Sequence, residues 1–396
     1  MTRTRVRPGA ASPSPEKTAS KAPVKMPAIL PPPKPTAVGA MKALMVEAEK
    51  KYGKGTLVPA RDAYTYIRVI PYGHLVGDLC SLGGLPEGQA AMFIGREGAG
   101  KTSQAMACVA QAQKKYPNHM CLWGDSEQTF DPLWAEQRGV DMDRLQLATT
   151  VVGEDMADLL ASAVASVEEL CFCVVDSVNQ MTPQKEYADS IGDAQVALQA
   201  RMLGRLTSHL TAAQVERRRK GWIPVTFVFI NQWRSLIGGP PRATKSMPGG
   251  RQFIHFTSTH VEFSAKIEAE KDDVGNATPY IVEHVFKMRR AKVASSIRDG
   301  EYSVVVGADH HLPIGSYDEA GTILGQAKKI GLWEGGGSRQ GFTLYPDEVF
   351  RKMDEGREWL EDNPDCALAI KRAIIMHHRE RVQMSPLPFD GYLLTR

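Results

Sequence analysis

The chain has 396 residues, and its 48 Lys and Arg against 45 Asp and Glu leave a formal net charge of +3. That length allows one large domain with a smaller appendage. Because the overall charge is nearly balanced, binding to a polyanion would need a local basic patch. No apolar run is long enough to span a bilayer, and the basic N-terminus lacks the apolar segment of a secretory signal.

Residues 1–38 differ from the rest in composition. They carry nine prolines, seven Lys or Arg and a single acidic residue, Glu16. This pattern predicts a disordered basic tail with polyproline character. Two interpretations stay open: non-specific attraction to phosphate, or a solvated extension with no role of its own.

The next elements follow in chain order. Met41, Leu44, Met45 and Ala48 have helical spacing that ends at Gly53, within an N-terminal helix-and-strand segment, residues 39–82. Apolar strands are then predicted at 90–94, 120–124, 144–148, 171–175 and 225–230. Helices are predicted between them at 102–115, 155–168 and 194–218. Continuous apolar strands separated by helices predict an α/β fold whose central sheet is mostly parallel and covered on both faces.

Beyond Phe253 the pattern changes. Longer alternating stretches at 257–267 and 280–287 predict antiparallel extensions of the sheet. From about Ser303 a helix at 317–330, a Gly-rich turn at 335–337 and further helices predict a small C-terminal α/β domain. The predicted core therefore covers residues 83–302, and the C-terminal domain covers 303–396.

The six cysteines show no paired zinc spacing. Cys171 and Cys173 alternate within an apolar strand, which predicts buried, reduced thiols and favours a cytoplasmic protein.

One motif carries chemistry by itself. The run from Gly95 to Thr102 matches the G-x-x-x-x-G-K-[ST] phosphate-binding pattern between a predicted strand and a predicted helix. Its members, with the next residue, are Gly95, Arg96, Glu97, Gly98, Ala99, Gly100, Lys101, Thr102 and Ser103. Glycines let backbone N–H groups approach phosphates, and the helix N-terminus adds a positive dipole end. Lys101 is predicted to reach the β- and γ-phosphates of ATP, and the Thr102 hydroxyl to ligate Mg²⁺.

The remaining catalytic groups are predicted at strand ends. Asp176 ends the apolar run that begins at Cys171 and is the candidate carboxylate for Mg²⁺. Asp125 and Glu127 follow the strand at 120–124, and either could orient the attacking water. Spacing alone does not choose between them.

Taken together with further motifs along the chain, these residues resemble those of a known family, the RecA recombinases. The resemblance rests on Trp123 to Asp141, on Val174–Val178, on Thr182-Pro183 and Ile191–Asp193, on Phe229–Gln232, on Gly249-Gly250 and on Lys51–Gly55. These motifs keep their order from about Met41 into the C-terminal region. Divergence between them is typical of a phage-type or otherwise remote member.

The resemblance implies roles around ATP. Glu127 falls on the family's catalytic glutamate, and Gln232 on the glutamine that senses the γ-phosphate. Asp131 and Trp134 fall on positions that contact the adenine. Arg290 and Lys292 match two basic residues that reach the nucleotide of a neighbouring protomer in a helical homo-oligomer. The N-terminal helix would build that filament.

The resemblance also implies two DNA-binding loops, at about 185–196 and 233–252. The expected contacts are Arg201, Arg234, Ile237, Arg242, Lys245, Gly249, Gly250 and Arg251. The implied partners are single-stranded DNA and a homologous duplex, with roles in DNA recombination, DNA repair and the SOS response. Backbone contacts rather than base readout would suit binding that ignores sequence.

Several positions depart from the family pattern. Pro240-Pro241 replaces an apolar–aromatic pair, Ser208 replaces an arginine, and Arg290 stands where lysine is usual. These changes keep open a RecA-fold DNA-binding accessory ATPase that does not exchange strands. A ring helicase with the same core fold is disfavoured by the N-terminal helix and the C-terminal unit.

Overall fold

The structure, a computed structural model, describes residues 35–53, 56–57, 68–81, 83–188, 196–235, 245–246, 249–271, 277–291, 297–307, 311–337 and 339–381. At several ends of these ranges only the backbone path is described. The described residues divide into one unit that ends at Glu47 and a second that begins at Ala48. The predicted tail at 1–34 lies outside the described residues.

The strands alternate with helices through the middle of the chain. The strands are β1 Val69–Ile70, β2 Leu85–Pro86, β3 Ala90–Gly95, β4 Met120–Asp125, β5 Leu145–Ala148, β6 Leu170–Asp176, β7 Thr226–Gln232, β8 Arg234–Ser235, β9 Lys245–Ser246, β10 Thr257–Lys271, β11 Ala277–Arg290, β12 Asp299–Val305, β13 Trp333–Gly336 and β14 Arg339–Phe342. The helices are α1 Pro35–Tyr52, α2 Leu75–Ser81, α3 Lys101–Lys115, α4 Pro132–Gln137, α5 Gly153–Ser166, α6 Gln184–Ala188, α7 Val196–Lys220, α8 Gly250–Phe256, α9 Glu319–Lys329, α10 Met353–Asp362 and α11 Pro364–Arg381.

Helix α1 begins at Pro35, earlier than the predicted Met41. Proline is favoured at the first helical position because its φ is already helical and its missing N–H is not needed there. Residues 35–38, assigned from composition to the disordered tail, are therefore helical. The helix exposes several apolar side chains, among them Met41, Leu44 and Val46.

The main sheet has the strand order β12-β11-β10-β3-β7-β6-β4-β5 among the described residues. The pairs from β10 to β5 are parallel, whereas β10–β11 and β11–β12 are antiparallel. This confirms the predicted α/β fold with a mostly parallel sheet. It also shows the expected antiparallel extension, with longer strands than predicted.

Helices cover both faces of this sheet. On one face Phe93 of β3 packs with Met106 and Val109 of α3. On the other, Met92 of β3 packs with Leu160 of α5 and with α7. Strand side chains alternate between faces, so an apolar strand with apolar residues at every position is buried on both sides. Cys171 and Cys173 of β6 are free and buried, as predicted.

A third core cluster joins the C-terminal residues to α2. Ile323 and Leu324 of α9, Ile370 and Ile374 of α11 and Leu75 of α2 belong to it. The Gly-rich turn predicted at 335–337 lies in the β13–β14 hairpin. The predicted boundary at Ser303 falls within β12, a strand of the main sheet, and the domain limits stay a prediction.

Helices among the described residues include none that is long and apolar enough to cross a membrane.

Arg217 of α7 is fully buried and ties together the end of α5 and the start of β6. Its guanidinium donates to the backbone carbonyls of Val164, Val167, Glu168, Leu170 and Ile223 at 2.5–3.0 Å. Carbonyls that follow a helix end lack intrahelical partners, and a planar five-donor fork can satisfy several of them at once. Burial lowers the pKa of Arg217, and its hydrogen bonds to these carbonyls hold the charged side chain in the interior.

We expect Arg217→Ala to lower the free energy of unfolding by about 3 kcal/mol or more, because five backbone carbonyls lose the charged donor of a buried side chain. The neighbouring, exposed Arg218→Ala should change it by less than about 0.5 kcal/mol. Urea unfolding followed by circular dichroism compares the two. Equal effects would show that the buried network contributes little.

Candidate active site

The predicted phosphate loop connects β3 to α3. β3 ends at Gly95, and α3 begins at Lys101. Gly98 and Gly100 have φ angles of 70° and 85°, which L-residues with a side chain rarely adopt. At Gly100 an added Cβ would also lie 2.4 Å from the His284 ring. The sequence therefore needs glycine at this position for both conformation and space.

His284 of β11 supports the loop from beneath. Its Nδ1 lies 3.2 Å from the Ala99 carbonyl oxygen. Burial lowers the pKa of His284 to about 4, so the ring is neutral near pH 7. A carbonyl can only accept, and the proton of the neutral ring is therefore on Nδ1. Ser103 lies one turn into α3, and its carbonyl accepts from Arg138 Nε at 3.3 Å.

Lys101 is buried within the loop. Its Nζ donates to the Arg96 carbonyl oxygen at 2.7 Å. Burial lowers the pKa of Lys101, and the charges of Asp176, Glu127 and Glu97 act in the opposite direction. The ammonium thus lies among backbone groups and carboxylates, in a position to exchange the carbonyl for a phosphate oxygen.

Thr102 and Asp176 meet although they are far apart in the chain. The Thr102 hydroxyl donates to Asp176 Oδ2 at 2.7 Å, and Asp176 ends β6. Burial raises the pKa of Asp176 to about 7, against the effect of the Thr102 hydrogen bond, and the Glu127 charge raises it further. A hydroxyl and a carboxylate in contact beside a phosphate loop fit Mg²⁺, which takes few protein ligands and completes its shell with phosphate and water oxygens. Among the residues that the structure describes, no cluster of three or more His, Cys, Asp or Glu side chains is suited to a metal ion.

The two carboxylates that spacing did not separate have different surroundings. Asp125 accepts from the backbone N–H groups of Thr129 at 3.3 Å and Phe130 at 3.1 Å, so both its oxygens close a turn. Glu127 instead accepts through Oε1 from the Ser177 hydroxyl at 2.5 Å and from Gln232 Nε2 at 3.4 Å.

Glu127 is held over the sheet by the loop that contains it. The Ser126 and Glu127 N–H groups donate to the Asp176 carbonyl oxygen at 2.8 and 3.2 Å. The Ser126 hydroxyl donates to the Ser177 carbonyl oxygen at 2.7 Å. These bonds join the ends of β4 and β6. Together with Gln232 at the end of β7, they bring three strand ends to one carboxylate.

The predicted adenine contacts have local structural partners. Asp131 caps α4, where Oδ1 accepts from the Trp134 N–H at 3.1 Å, an interaction worth about 1 kcal/mol in comparable helices. Trp134 is half-buried against the core cluster that faces α3. Contact with the base stays a prediction for both residues.

Of the two basic residues predicted to reach the nucleotide of a neighbouring protomer, the structure describes one. Arg290 ends β11, and its Nη1 donates to the Ile254 carbonyl oxygen of α8 at 2.7 Å. Lys292 lies outside the described residues.

The structure also describes only some of the predicted DNA contacts. Arg201 and Arg251 are exposed on α7 and α8. Ile237 and Arg242 lie outside the described residues, and for Arg234 and Lys245 only the backbone is described, within the antiparallel β8–β9 pair. Residues 189–195 of the predicted first loop also lie outside the described set.

Packing accounts for the glycine pair expected to meet phosphate. Gly249 and Gly250 have φ angles of 116° and 69°. A Cβ on Gly249 would lie 2.6 Å from Phe253, and one on Gly250 would lie 3.1 Å from Ala200. Gly250 therefore allows α8 to approach α7, and Gly249 leaves room for the Phe253 ring of α8.

Sequence reasoning missed the partners that hold these groups in place. Ser177 lies within the Val174–Val178 motif, but no role was predicted for it, and His284 lies 185 residues from the carbonyl it supports. The local sequence does not show either contact, because both arise only when the strands pair.

The fold and this site define a class: an α/β nucleotide-binding protein with a phosphate loop and a strand-end carboxylate. A profile of the RecA N-terminal domain matches residues 39–309. Protein RecA of Pseudarthrobacter chlorophenolicus is 30% identical over 365 residues, which cover 90% of this chain and 95% of that protein. Protein RecA of Frankia alni is 30% identical over 364 residues, 89% of this chain and 97% of that protein. The chain belongs to the RecA family.

We expect the stability of the nucleotide-free protein to depend on Asp176 and pH. Burial raises its folded pKa from 3.8 to about 7, so the folded state holds a proton that the unfolded chain has lost. That contribution is fully present below the unfolded pKa and declines as pH rises towards about 7. Asp176→Asn removes the dependence, so its stability relative to the parent should increase by up to about 1.4 kcal/mol per pH unit across this window.

Denaturant unfolding at pH 5, 6, 7 and 8 measures this difference. Asp143→Asn, at an exposed position, is the control and should show no such trend. Parallel pH profiles for the parent and Asp176→Asn would contradict the prediction.

Proposed function

We propose that this chain is an ATP-dependent homologous recombinase. It would form a helical filament on single-stranded DNA, hydrolyse ATP in a DNA-dependent manner, and pair and exchange that strand with a homologous duplex. The observation that carries the proposal is the contact of Glu127 with both Ser177 and Gln232. It connects the candidate hydrolytic carboxylate to the strand end from which the second predicted DNA loop starts.

The phosphate loop binds the nucleotide in this proposal. Backbone N–H groups of residues 96–102 and the N-terminus of α3 surround the phosphates. Lys101 moves from the Arg96 carbonyl to the β- and γ-phosphate oxygens. Thr102 and Asp176 would hold Mg²⁺, which when bound would neutralise charge on those phosphates.

Glu127 orients and deprotonates the attacking water. Ser177 and Gln232 bind its Oε1 and fix the carboxylate plane, and we assign Oε2 to the water. Asp125 is unsuited to this role because the turn at Thr129 and Phe130 occupies both its oxygens.

Gln232 makes the site responsive to nucleotide state. A γ-phosphate that draws the amide away from Glu127 would shift the start of the second loop, so nucleotide and DNA would each bias the same strand end. Arg290 and Lys292 would reach the nucleotide of the neighbouring protomer and stabilise charge in the transition state. ATP then stabilises the DNA-bound filament, and hydrolysis loosens it.

The DNA surface would combine the described Arg201, Arg251, Gly249 and Gly250 with Arg234, Ile237, Arg242 and Lys245. Cationic side chains that contact the backbone give binding that is independent of base sequence and falls steeply with salt.

A second candidate function is a RecA-fold DNA-binding accessory ATPase without strand exchange. The observation in its favour is Pro240-Pro241 in the second loop, where the family carries an apolar–aromatic pair. Proline pairs restrict the backbone, and this pair lacks the aromatic ring of the family's pair.

Two assays on the purified chain separate these functions: ATP turnover with and without single-stranded DNA, and joint-molecule formation with a homologous plasmid. Stimulated turnover with joint molecules is expected. Stimulated turnover without joint molecules, or turnover indifferent to DNA, would favour the accessory ATPase.

Glu127→Gln should leave ATP binding within a few-fold of the parent and reduce turnover by about 100-fold or more, because the amide cannot take a proton from water. Asp125→Asn is the matched comparison and should lower turnover far less. Nucleotide binding by equilibrium titration and single-turnover hydrolysis measure the two quantities. The reverse ranking would move the catalytic role to Asp125.

Lys101→Ala should abolish turnover and weaken ATP binding, because the phosphates lose the cation that faces them. The same two assays apply. Exposed Lys114→Ala on the same helix is the control and should behave as the parent. Substantial turnover by Lys101→Ala would place the phosphates elsewhere.

A further inference from the structure

Trp233 lies where β7 ends and the second predicted DNA loop begins. It directly follows Gln232, whose amide contacts Glu127. The Trp233 indole packs against the core cluster that faces α7, and its Nε1–H donates to Glu262 Oε1 of β10 at 3.2 Å. The start of the loop is therefore connected to β10 by a hydrogen bond.

Glu262 is bound a second time from the opposite side. Arg289 of β11 donates through Nε and Nη2 to Glu262 Oε2. In the β10–β11 register His260 pairs with Arg290 and Val261 with Met288, so Arg289 lies in a β-bulge. Bulges redirect side chains, and this one leaves Arg289 on the carboxylate. We call Trp233, Glu262 and Arg289 the cross-strand bridge.

The cross-strand bridge passes beside the phosphate loop. In the register Gly95 of β3 lies between Gln232 of β7 and Phe263 of β10. A cavity of about 320 Å³ is lined by Gly95–Ala99, by Trp233 and by Glu262 and the residues that follow it on β10. Two members of the bridge, Trp233 and Glu262, thus line the same space as the phosphate loop.

The far end of the second loop is connected by a hydrogen bond to the end of β11, the strand that carries Arg289. α8 begins at Gly250, within the last residues of the predicted loop, and the carbonyl of Ile254, just beyond the loop, accepts from Arg290. Arg289 binds the loop's start through Glu262, and Arg290, the next residue, binds the element at its end. One dipeptide of β11 is therefore linked to both ends of the loop, through Glu262 at the start and through Ile254 just beyond the end.

We propose that Trp233, Glu262 and Arg289 are positioning residues that couple the second DNA loop to Arg290, and through it to the nucleotide of the next protomer. This inference rests on the proposed function. A shift of the loop on DNA would pull on Glu262 through the indole, and the guanidinium of Arg289 would transmit it to the adjacent Arg290. Because the Glu262 carboxylate accepts from both Trp233 and Arg289, a displacement of either donor would displace the carboxylate and, through it, the other donor.

The strength of the bridge suits a coupling element. Its bonds to a charged carboxylate are stronger than neutral ones. The Glu262 side chain is 18% exposed and the Arg289 side chain 48% exposed, so solvent screens part of the ion pair. Coupling through such a network commonly changes linked equilibria by about three- to tenfold, enough to set how strongly DNA stimulates turnover.

The test uses Trp233→Phe, which keeps a ring and removes the N–H, with Glu262→Ala and Arg289→Ala. Each should reduce DNA-stimulated kcat by about three- to tenfold while the DNA-independent kcat and the KM for ATP stay within about twofold. The Trp233→Phe/Arg289→Ala double variant should be no worse than either single one, because both act through one carboxylate. Exposed Glu334→Ala and Arg339→Ala of the β13–β14 hairpin are the matched controls.

A second readout does not depend on DNA stimulation. Trp233 emission, taken as the difference between the full chain and Trp233→Phe, should change when a non-hydrolysable ATP analogue binds. Arg289→Ala should abolish that change without altering affinity for the analogue.

The outcomes are distinguishable. If the parent protein shows no DNA stimulation, the proposed function fails, and the emission readout alone decides the bridge. If stimulation is present but the three variants keep it, or if they lower basal and stimulated turnover in parallel, the bridge has no coupling role. An emission change that survives Arg289→Ala overturns it as well.

Discussion

The parallel pairing of β3, β4, β6 and β7 is the constraint on which the site depends. Parallel neighbours end at the same edge of a sheet, so the groups that follow each strand meet there. Gly95 opens the phosphate loop, Glu127 follows β4, Asp176 ends β6 and Gln232 ends β7. The 2.7 Å hydrogen bond from the Thr102 hydroxyl to Asp176 joins the start of α3 to the end of β6.

Burial at that edge sets the electrostatics. Lys101, Asp125 and Asp176 are all buried, and in such surroundings a charge without a partner is costly. Burial lowers the pKa of Lys101 and raises that of Asp176, so each group is destabilised in the charged form that it would need on the nucleotide. A bound phosphate would add a partner for Lys101 and Mg²⁺ one for Asp176, so the proposed ligands would stabilise the site.

The second predicted DNA loop starts and ends on structure that belongs to the nucleotide site. Gln232 joins its start to Glu127, and the cross-strand bridge joins the same point to β11. Arg290 holds Ile254 beyond its end. A loop attached at both ends to the elements that carry the proposed catalytic groups could affect them through small shifts, because packed strands rearrange between discrete positions rather than deform continuously.

Local pattern was sufficient for the strands and helices of the core and for the phosphate loop. Apolar runs buried on both faces of a sheet, and glycines at positive φ, depend on the nearest residues in the chain. Boundaries were less certain, as Pro35 shows, because a helix start is decided by a few weak preferences. Spacing could not separate Asp125 from Glu127, since both follow the same strand.

What the sequence by itself determined is the α/β alternation and the residue types of an ATP-binding loop, because both are written in neighbouring positions. Only the tertiary structure decided which carboxylate contacts Ser177 and Gln232, which histidine supports the loop and which glutamate joins Trp233 to Arg289. Those contacts connect residues dozens to nearly two hundred positions apart. They exist only once strand order and register place them side by side.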